Sequence, residues 1–434
     1  DVDTASYANV RRLLRAGDKP PPEAVRVEEF INALPYDYAE PAPGEDFAID
    51  MEASVSPWNP QRHVVRIGVQ ARRADVVPVH LTLLVDVSPS MAGRNKLDLA
   101  KRVTEVICRQ LGPSDTLELL AYSDSARVVT HRAPGQRLHE VSDSLHVDLG
   151  SAGTALGTGL ILAYDRAQAS RQEGAVSRVV LLADGDANVG ANSLQSLLAI
   201  AQTGRDQGVA LTTVGFGGDD LNDVVLEQLA DRSDGNYHFI DSIIEARRVF
   251  EEQLRPTLQI VAQDVKLQVR WNPTAIASWR LVGYENRVVD SSAFHDDDVD
   301  AGEVGSGHQI TAIYEVALRP QPSGPLGSVH IRHRAPGSAR TALELRQVIG
   351  QDVVAGSLGA TSDQFRLQLA ALGLAERLRG SEHIQASYSA LGDLTIGAMR
   401  DRYPEDLELL ELIDRASRLS GGRGMASRPG FGPR

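Results

Sequence analysis

The most restrictive feature of the sequence is a regular alternation of aliphatic and amphipathic segments over residues 77–255. Runs such as LTLLVDV and VVLLA are apolar at nearly every position, which is typical of parallel strands covered by helices on both faces. Between the runs, apolar residues recur at spacings of three and four, as at Leu97, Ala100 and Val103. The pattern predicts an α/β domain with a doubly wound, mostly parallel sheet.

The segments on either side of this region alternate apolar and polar residues instead. FAIDMEASVS and HVVRIGVQARR precede it, and DVKLQVRW, HQITAIYEVALR and GSVHIRHR follow it. This period of two indicates half-buried strands. Because insertion succeeds where chain ends lie close together, we predict one antiparallel β-sandwich into which the α/β domain is inserted. Two unrelated small β regions are the alternative.

Helical patterns at both ends complete the predicted organisation, and the last residues, GGRGMASRPGFGPR, have too few apolar side chains to fold. The predicted parts are an N-terminal helical segment at 1–45, the first part of the β-sandwich at 46–76, the α/β domain at 77–255, the second part of the sandwich at 256–345, a C-terminal helical region at 346–420 and a flexible tail at 421–434.

The charge balance of the chain restricts its partners. Across 434 residues, 58 acidic and 44 basic side chains give a net charge of -14, a field that repels phosphate backbones. We therefore expect no nucleic-acid partner. No apolar run approaches the roughly 18 residues needed to cross a bilayer, so we expect no transmembrane segment. The chain opens DVDTASYANV without a methionine, and we expect an upstream segment, with a lipid anchor as one option.

Polar side chains follow three of the predicted strands. At the end of the first strand, LTLLVDV, the polar side chains of Asp86, Ser88 and Ser90 stand at alternating positions. Thr154 stands in SAGTALGTGL, before a later helix, and Asp184 follows the run VVLLA. In open α/β sheets, ligands bind beyond the carboxyl ends of the strands, where such side chains converge. Hydroxyls and carboxylates without imidazole or thiolate select a hard cation. We therefore predict a metal site for Mg2+, with Mn2+ or Ca2+ as alternatives.

Other interpretations of the same residues are weaker. Asp86, Ser88 and Ser90 alone could form a capped turn at a helix N-terminus. A phosphotransfer enzyme needs a second carboxylate two residues after the first, where Ser88 stands. The glycine-rich stretches ALGTGLIL and VGFGGDD lack the third glycine of a dinucleotide loop. We predict neither catalytic residues nor an organic cofactor.

The order D-x-S-x-S, threonine, aspartate resembles the von Willebrand factor type A domain and its metal-ion-dependent adhesion site. The resemblance implies that Ser88, Ser90 and Thr154 coordinate the cation, that Asp86 and Asp184 act directly or through water, and that a carboxylate from a partner completes the shell. Pro89 departs from the family pattern, in which glycine is common between the serines. Longer phrases, including DVDTASYANVRRLLRAG, VRVEEFINALPYDY, SPWNPQRHVVRIG and DDDVDAGEVGSGHQITAIYEV, resemble the bacterial YfbK-type proteins.

The resemblance implies a non-catalytic module that binds an acidic residue of a partner protein through a divalent cation. A structural or self-assembly protein with an optional metal is the alternative, in which the partner is another copy of the chain. A metal-dependent hydrolase is the least favoured reading. The family implies a location in the cell envelope, either periplasmic or at the surface, including as a lipoprotein, or secretion.

Overall fold

A computed structural model describes residues 5–75, 77–93, 96–134, 144–150, 153–185, 193–217, 223–253, 259–284, 294–295, 302–336, 342–384 and 386–421. The predicted flexible tail lies outside the described residues beyond Gly421, as does the acidic run at 296–300.

The helices and strands are numbered in chain order. The helices are α1 Ala5–Ala16, α2 Val27–Asn32, α3 Leu97–Gln110, α4 Leu156–Ala169, α5 Leu194–Asp206, α6 Asp223–Arg232, α7 Ile243–Arg247, α8 Asp363–Leu378, α9 Tyr388–Ile396 and α10 Pro404–Leu419. The strands are β1 Phe47–Val55, β2 His63–Ala71, β3 Val79–Asp86, β4 Thr116–Tyr122, β5 Ala126–Pro134, β6 Val176–Ala183, β7 Ala210–Gly215, β8 Tyr237–Phe239, β9 Ile260–Trp271, β10 Ile276–Val282, β11 Gly302–Gly305, β12 Gln309–Leu318, β13 Gly327–Arg334 and β14 Ala342–Ile349.

The chain divides into two compact units. Arg73–Ile260 forms the inserted unit, and Asp1–Arg72 together with Val261–Arg434 forms the flanking unit. The predicted α/β domain, 77–255, lies within the inserted unit. In the flanking unit β2, from before the insertion, pairs antiparallel with β12, from after it. The two flanks therefore share one sheet, which excludes two unrelated β regions.

The inserted unit is the predicted α/β domain. Its described strands form a sheet in the order β5-β4-β3-β6-β7-β8, in which only β5 runs antiparallel to its neighbour. Every residue of the central strand β3 is buried, as the aliphatic run predicts. Helix α3 contributes Leu97, Ala100, Val103 and Ile107 to the core beside β3. The doubly wound, mostly parallel sheet is confirmed.

The flanking unit contains two four-stranded antiparallel sheets in the described residues, ordered β1-β2-β12-β10 and β11-β9-β13-β14. Aromatic side chains join them: the rings of Trp271 on β9 and Tyr314 on β12 meet edge to face at 5.3 Å. Phe47 on β1 meets His333 on β13 in the same way at 4.9 Å. These contacts pack the two sheets face to face as a sandwich.

The N- and C-terminal helices pack together on the first of these sheets. One core joins Tyr7 of α1, Phe30 of α2, Phe365 of α8 and Ile413 of α10 to Ile313 of β12. The predicted helical ends are confirmed. Strand β14 extends to Ile349, and α9 lies within the predicted C-terminal helical region. Among the described residues, no helix is both long enough and apolar enough to cross a membrane.

Candidate functional site

The candidate site lies where the order of strands reverses in the inserted unit. Strand β3 is followed along the chain by β4 on one side, whereas β6 lies on its other side. Asp86 is the last residue of β3, and Asp184 comes directly after β6. A crevice at such a reversal point is where open α/β sheets bind ligands. The fold therefore brings the two predicted aspartates to one edge of the sheet.

Asp86 is a fully buried carboxylate with two donors. Its Oδ1 accepts a hydrogen bond from the Ser88 backbone N–H at 2.8 Å, and its Oδ2 accepts one from the Tyr122 hydroxyl at 3.0 Å. Burial and, to a smaller extent, the negative charge of Asp184 raise the pKa of Asp86 to about 7, despite the lowering effect of these hydrogen bonds. The ionised form of Asp86 is therefore costly without a compensating cation.

The two serines follow Asp86 in a tight turn. Ser88 is fully buried, Ser90 is half-buried, and their hydroxyl oxygens lie 3.0 Å apart. Pro89 begins the short 3-10 helix Pro89–Ala92, where its missing N–H is not needed. The Ser88 hydroxyl does not cap this helix. The capped-turn alternative therefore does not account for the Ser88 side chain.

Tyr122 holds the Asp86 carboxylate from the neighbouring strand. The parallel register pairs Asp86 of β3 with Tyr122 of β4, so the two side chains end at the same level of the sheet. Helix α4 crosses this pair at Gly159, where an added Cβ would lie 3.1 Å from Tyr122 Cγ and 3.2 Å from Leu84 Cδ2. The glycine of the sequence ALGTGLIL therefore allows close helix packing beneath the site, and it does not form a dinucleotide loop.

Thr154 is buried beside the end of β4. The backbone N–H of the next residue, Ala155, donates to the Ser123 carbonyl at 2.6 Å. The Ser123 hydroxyl in turn donates to Asp148 Oδ2 at 2.9 Å, and the Asp148 N–H donates to the Val87 carbonyl at 2.7 Å. The loop at 144–150 is thus tied to the segment that carries Asp86 and Ser88.

Sequence reasoning missed Lys96, whose side chain contacts one of the predicted ligands, Asp184. The Lys96 ammonium donates to Asp184 Oδ2 at 3.0 Å, and the two side chains are 11% and 1% exposed. Lys96 stands at the front of an amphipathic helix, where a charged residue is usually solvated. Tyr122 was missed as well. Its place at the end of the run TLELLAY, the strand that follows β3 along the chain, could have identified it as a neighbour of Asp86.

The donor set fits a hard divalent cation. Within the described ranges, no group of three or more His, Cys, Asp and Glu side chains could hold a metal ion. A cation here would therefore depend on the hydroxyls of Ser88, Ser90 and Thr154 as well as on Asp86 and Asp184. All five offer oxygen, and the two buried carboxylates supply the negative charge that a divalent ion would neutralise.

We expect Tyr122→Phe to destabilise the inserted unit more at pH 8 than at pH 5 in chelator. At pH 8 the variant loses a hydrogen bond to an ionised buried carboxylate, a contribution of about 1.5–3 kcal/mol. At pH 5 Asp86 is protonated, and the bond is a weaker neutral one. Urea unfolding at both pH values measures the difference.

The control is Tyr164→Phe, which removes another buried tyrosine hydroxyl, 3.5 Å from the Ala201 carbonyl, in the same unit. Its cost should be the same at pH 5 and pH 8. An equal pH dependence in the two variants would contradict the role assigned to Tyr122.

Three family models match the chain. The von Willebrand factor type A domain model matches residues 80–252, a von Willebrand factor model matches residues 1–66, and the model described as "Uncharacterized protein YfbK, C-terminal" matches residues 256–324. The first covers nearly the whole inserted unit, and the other two fall in the flanking regions.

Two relatives and one solved structure are similar to this chain over a large part of its length. YfbK of Escherichia coli (strain K12) is 33% identical over 414 residues, covering 88% of this chain and 71% of its own. Protein sll0103 of Synechocystis is 25% identical over 291 residues, covering 64% of this chain and 68% of its own. A solved structure, "von Willebrand factor type A from Catenulispora acidiphila", matches with a TM-score of 0.46 at 19% identity, over 81% of this chain and 87% of that one. On the family models and the identity to the E. coli protein, the chain belongs to the YfbK-type proteins that contain a von Willebrand factor A domain.

Proposed function

We propose that the protein is a non-catalytic module that binds an acidic side chain of a partner protein through a divalent cation, Mg2+ in the first place. Von Willebrand A domains commonly serve protein interaction and adhesion, and membership of the family supports such a role here. The cation would be held by Asp86, Ser88, Ser90, Thr154 and Asp184. It would supply a positive charge to which a carboxylate from the partner binds.

One observation carries the proposal: Asp86 and Asp184 are both buried at the reversal point of the sheet, and burial together with the charge of Asp184 raises the pKa of Asp86. Two such carboxylates are stabilised by a cation with more than one charge. The hydroxyls of Ser88 and Ser90 lie directly beside Asp86. A partner could reach a cation at this position, because Pro89 is exposed and Ser90 is half-buried.

An exposed apolar side chain on a loop tied to the site supports binding to protein. Leu149 is 79% exposed and directly follows Asp148, whose N–H bonds to the carbonyl of Val87, the residue between Asp86 and Ser88. Exposed leucines taken singly are common, but this one is on a loop whose backbone is bonded to the segment that carries the predicted ligands. A partner that places an acidic residue on the cation could cover Leu149 with an apolar residue beside it.

The experiment is affinity capture of proteins from a cell-envelope extract in Mg2+, followed by elution with chelator. We expect a protein to elute from the wild type and not from Thr154→Ala, which removes one hydroxyl ligand. We expect Leu149→Ser to weaken binding of the purified partner about tenfold without changing Mg2+ binding, since a buried leucine contributes about 1.5–3 kcal/mol. Val224→Ser, a 53% exposed position in the same unit, is the matched control.

Capture that is unaffected by both chelator and Thr154→Ala would contradict the proposal. If the eluted protein is the chain itself, sedimentation with Mg2+ and with chelator tests whether assembly depends on the cation. Turnover of a phosphate or carboxyl ester that requires Asp86 would identify a hydrolase instead. Fractionation of the source cells tests the expected envelope or secreted location.

A further inference from the structure

We propose that Lys96 is an internal counter-cation of the candidate metal site, which balances Asp184 when no metal is bound and competes with a divalent cation for that carboxylate. The inference rests on the proposed function, because it concerns the same cation site. Lys96 is not one of the five predicted ligands, but its charge would determine how tightly the site binds its cation.

The geometry places the ammonium on the carboxylate. Lys96 Nζ lies 3.0 Å from Asp184 Oδ2, with the two side chains 11% and 1% exposed. At this depth an ion pair is screened by water and salt less than a surface pair is. Removing either partner would deprive the other buried charge of this ion pair.

The local backbone directs Lys96 toward the site. Ser88 precedes the short helix Pro89–Ala92, which contains Ser90 and ends at Gly93. The Lys96 N–H then bonds to the Gly93 carbonyl at 3.3 Å, and the Lys96 carbonyl accepts the first bond of α3, from Ala100. The lysine stem runs along Gly93, with Cδ 3.4 Å from where a Cβ would stand. The loop that carries Ser88 and Ser90 therefore also positions the ammonium.

Two cations at one carboxylate repel each other. A divalent ion bound to the Asp184 carboxylate would stand within a few ångströms of the ammonium, because Lys96 Nζ lies 3.0 Å from Asp184 Oδ2. Binding of the ion must therefore displace the lysine head or tolerate its charge. Lysine suits such exchange, since its charge is compact and its four-carbon stem is flexible, whereas an arginine fork is rigid. The expected result is a cation affinity below that of the five oxygen ligands alone.

The test is calorimetric titration of Mg2+ into the full chain as wild type, Lys96→Met and Lys101→Met. Lys101 lies half-buried on the same helix, and its substitution removes the same charge. We expect Lys96→Met to bind Mg2+ at least about tenfold more tightly than the wild type, and Lys101→Met to bind like the wild type. Lys96→Arg, which keeps the charge, should not tighten binding.

Thermal unfolding gives a second readout. In chelator, Lys96→Met should melt below the wild type, because the buried Asp184 carboxylate then loses its ion pair with Lys96. Added Mg2+ should raise its melting temperature more than that of the wild type. If Lys96→Met fails to fold, Lys96→Gln gives the same comparison, because the amide can still donate to Asp184 without a charge.

The outcomes separate this inference from the proposed function. If the wild type and Lys96→Met bind Mg2+ equally, the site is a cation site and the role of Lys96 is wrong. If neither binds Mg2+ at millimolar concentration, both the proposed function and this inference are wrong. If Lys96→Met and Lys101→Met both bind Mg2+ more tightly, the cause is the lower net charge of either variant. The contact between Lys96 and Asp184 then has no special role, and the inference is wrong.

Discussion

Asp86→Asn is expected to stabilise the protein in chelator and to abolish its stabilisation by Mg2+. Burial raises the pKa of Asp86 from its ordinary 3.8 to about 7. Well below pH 3.8 the carboxyl is neutral in both the folded and the unfolded chain, so its burial carries no ionisation cost. As the pH rises to about 7, only the unfolded chain ionises, and the stability of the folded state falls by up to about 4 kcal/mol. An asparagine escapes this loss and can still accept from the Ser88 N–H.

The sign of this effect distinguishes Asp86 from an ordinary acidic residue. A carboxyl whose folded pKa is raised contributes stability at low pH that is lost as the pH rises through the folded value. The gap in unfolding free energy between Asp86→Asn and the wild type should therefore widen by about 2–3 kcal/mol between pH 5 and pH 8. Urea unfolding in chelator at the two pH values measures it.

The control for this comparison is Asp165→Asn, which makes the same charge change at an exposed position of α4. Its effect should be small and the same at both pH values. Millimolar Mg2+ should stabilise the wild type and Asp165→Asn but not Asp86→Asn, since only a cation bound to the folded state contributes. An Asp86→Asn protein that is less stable than the wild type at pH 8 would contradict the buried cost assigned to Asp86.

The central sheet was predictable because burial on both faces leaves a strong mark on the sequence. The runs LTLLVDV and VVLLA are aliphatic throughout, and they form β3 and β6. Their polar ends identified Asp86 and Asp184, because parallel strands end at one edge. Other strands leave a weaker mark on the sequence. Strand β8 has three residues, and β14 is an edge strand whose mixed burial does not alternate cleanly.

The surroundings of the site could not be predicted from spacing alone. Lys96 reaches Asp184 across 88 residues of sequence, through the turn at Pro89–Ala92 and the start of α3. Nothing in the local pattern marks that lysine as buried, because charged residues at helix starts usually face water. The partners of a buried charge are set by tertiary packing, so the ligand types could be read from the sequence while the charge balance could not.

The second large effect is expected in the flanking unit, at the start of α10. Asp406 is fully buried and accepts from Arg400 at three atoms: the backbone N–H and Nε at 2.9 Å, and Nη2 at 2.7 Å. Arg400 Nη1 also donates to the Pro35 carbonyl at 2.9 Å. The pair thus joins the C-terminal helices to the connector that follows α2, which explains why both ends of the chain share one core.

Asp406→Ala is expected to lower the free energy of unfolding by about 3 kcal/mol, because it leaves the largely buried Arg400 guanidinium with only the more distant Asp37 carboxylate, at 4.0 Å, as a counter-charge. Guanidinium chloride unfolding measures the loss. Asp401→Ala is the matched control: Asp401 is exposed next to Arg400, and its substitution should change stability by no more than about 0.5 kcal/mol. A loss below about 1 kcal/mol for Asp406→Ala would mean that Arg400 finds water or another acceptor, and that the ion pair does not hold the terminal helices to the Pro35 connector.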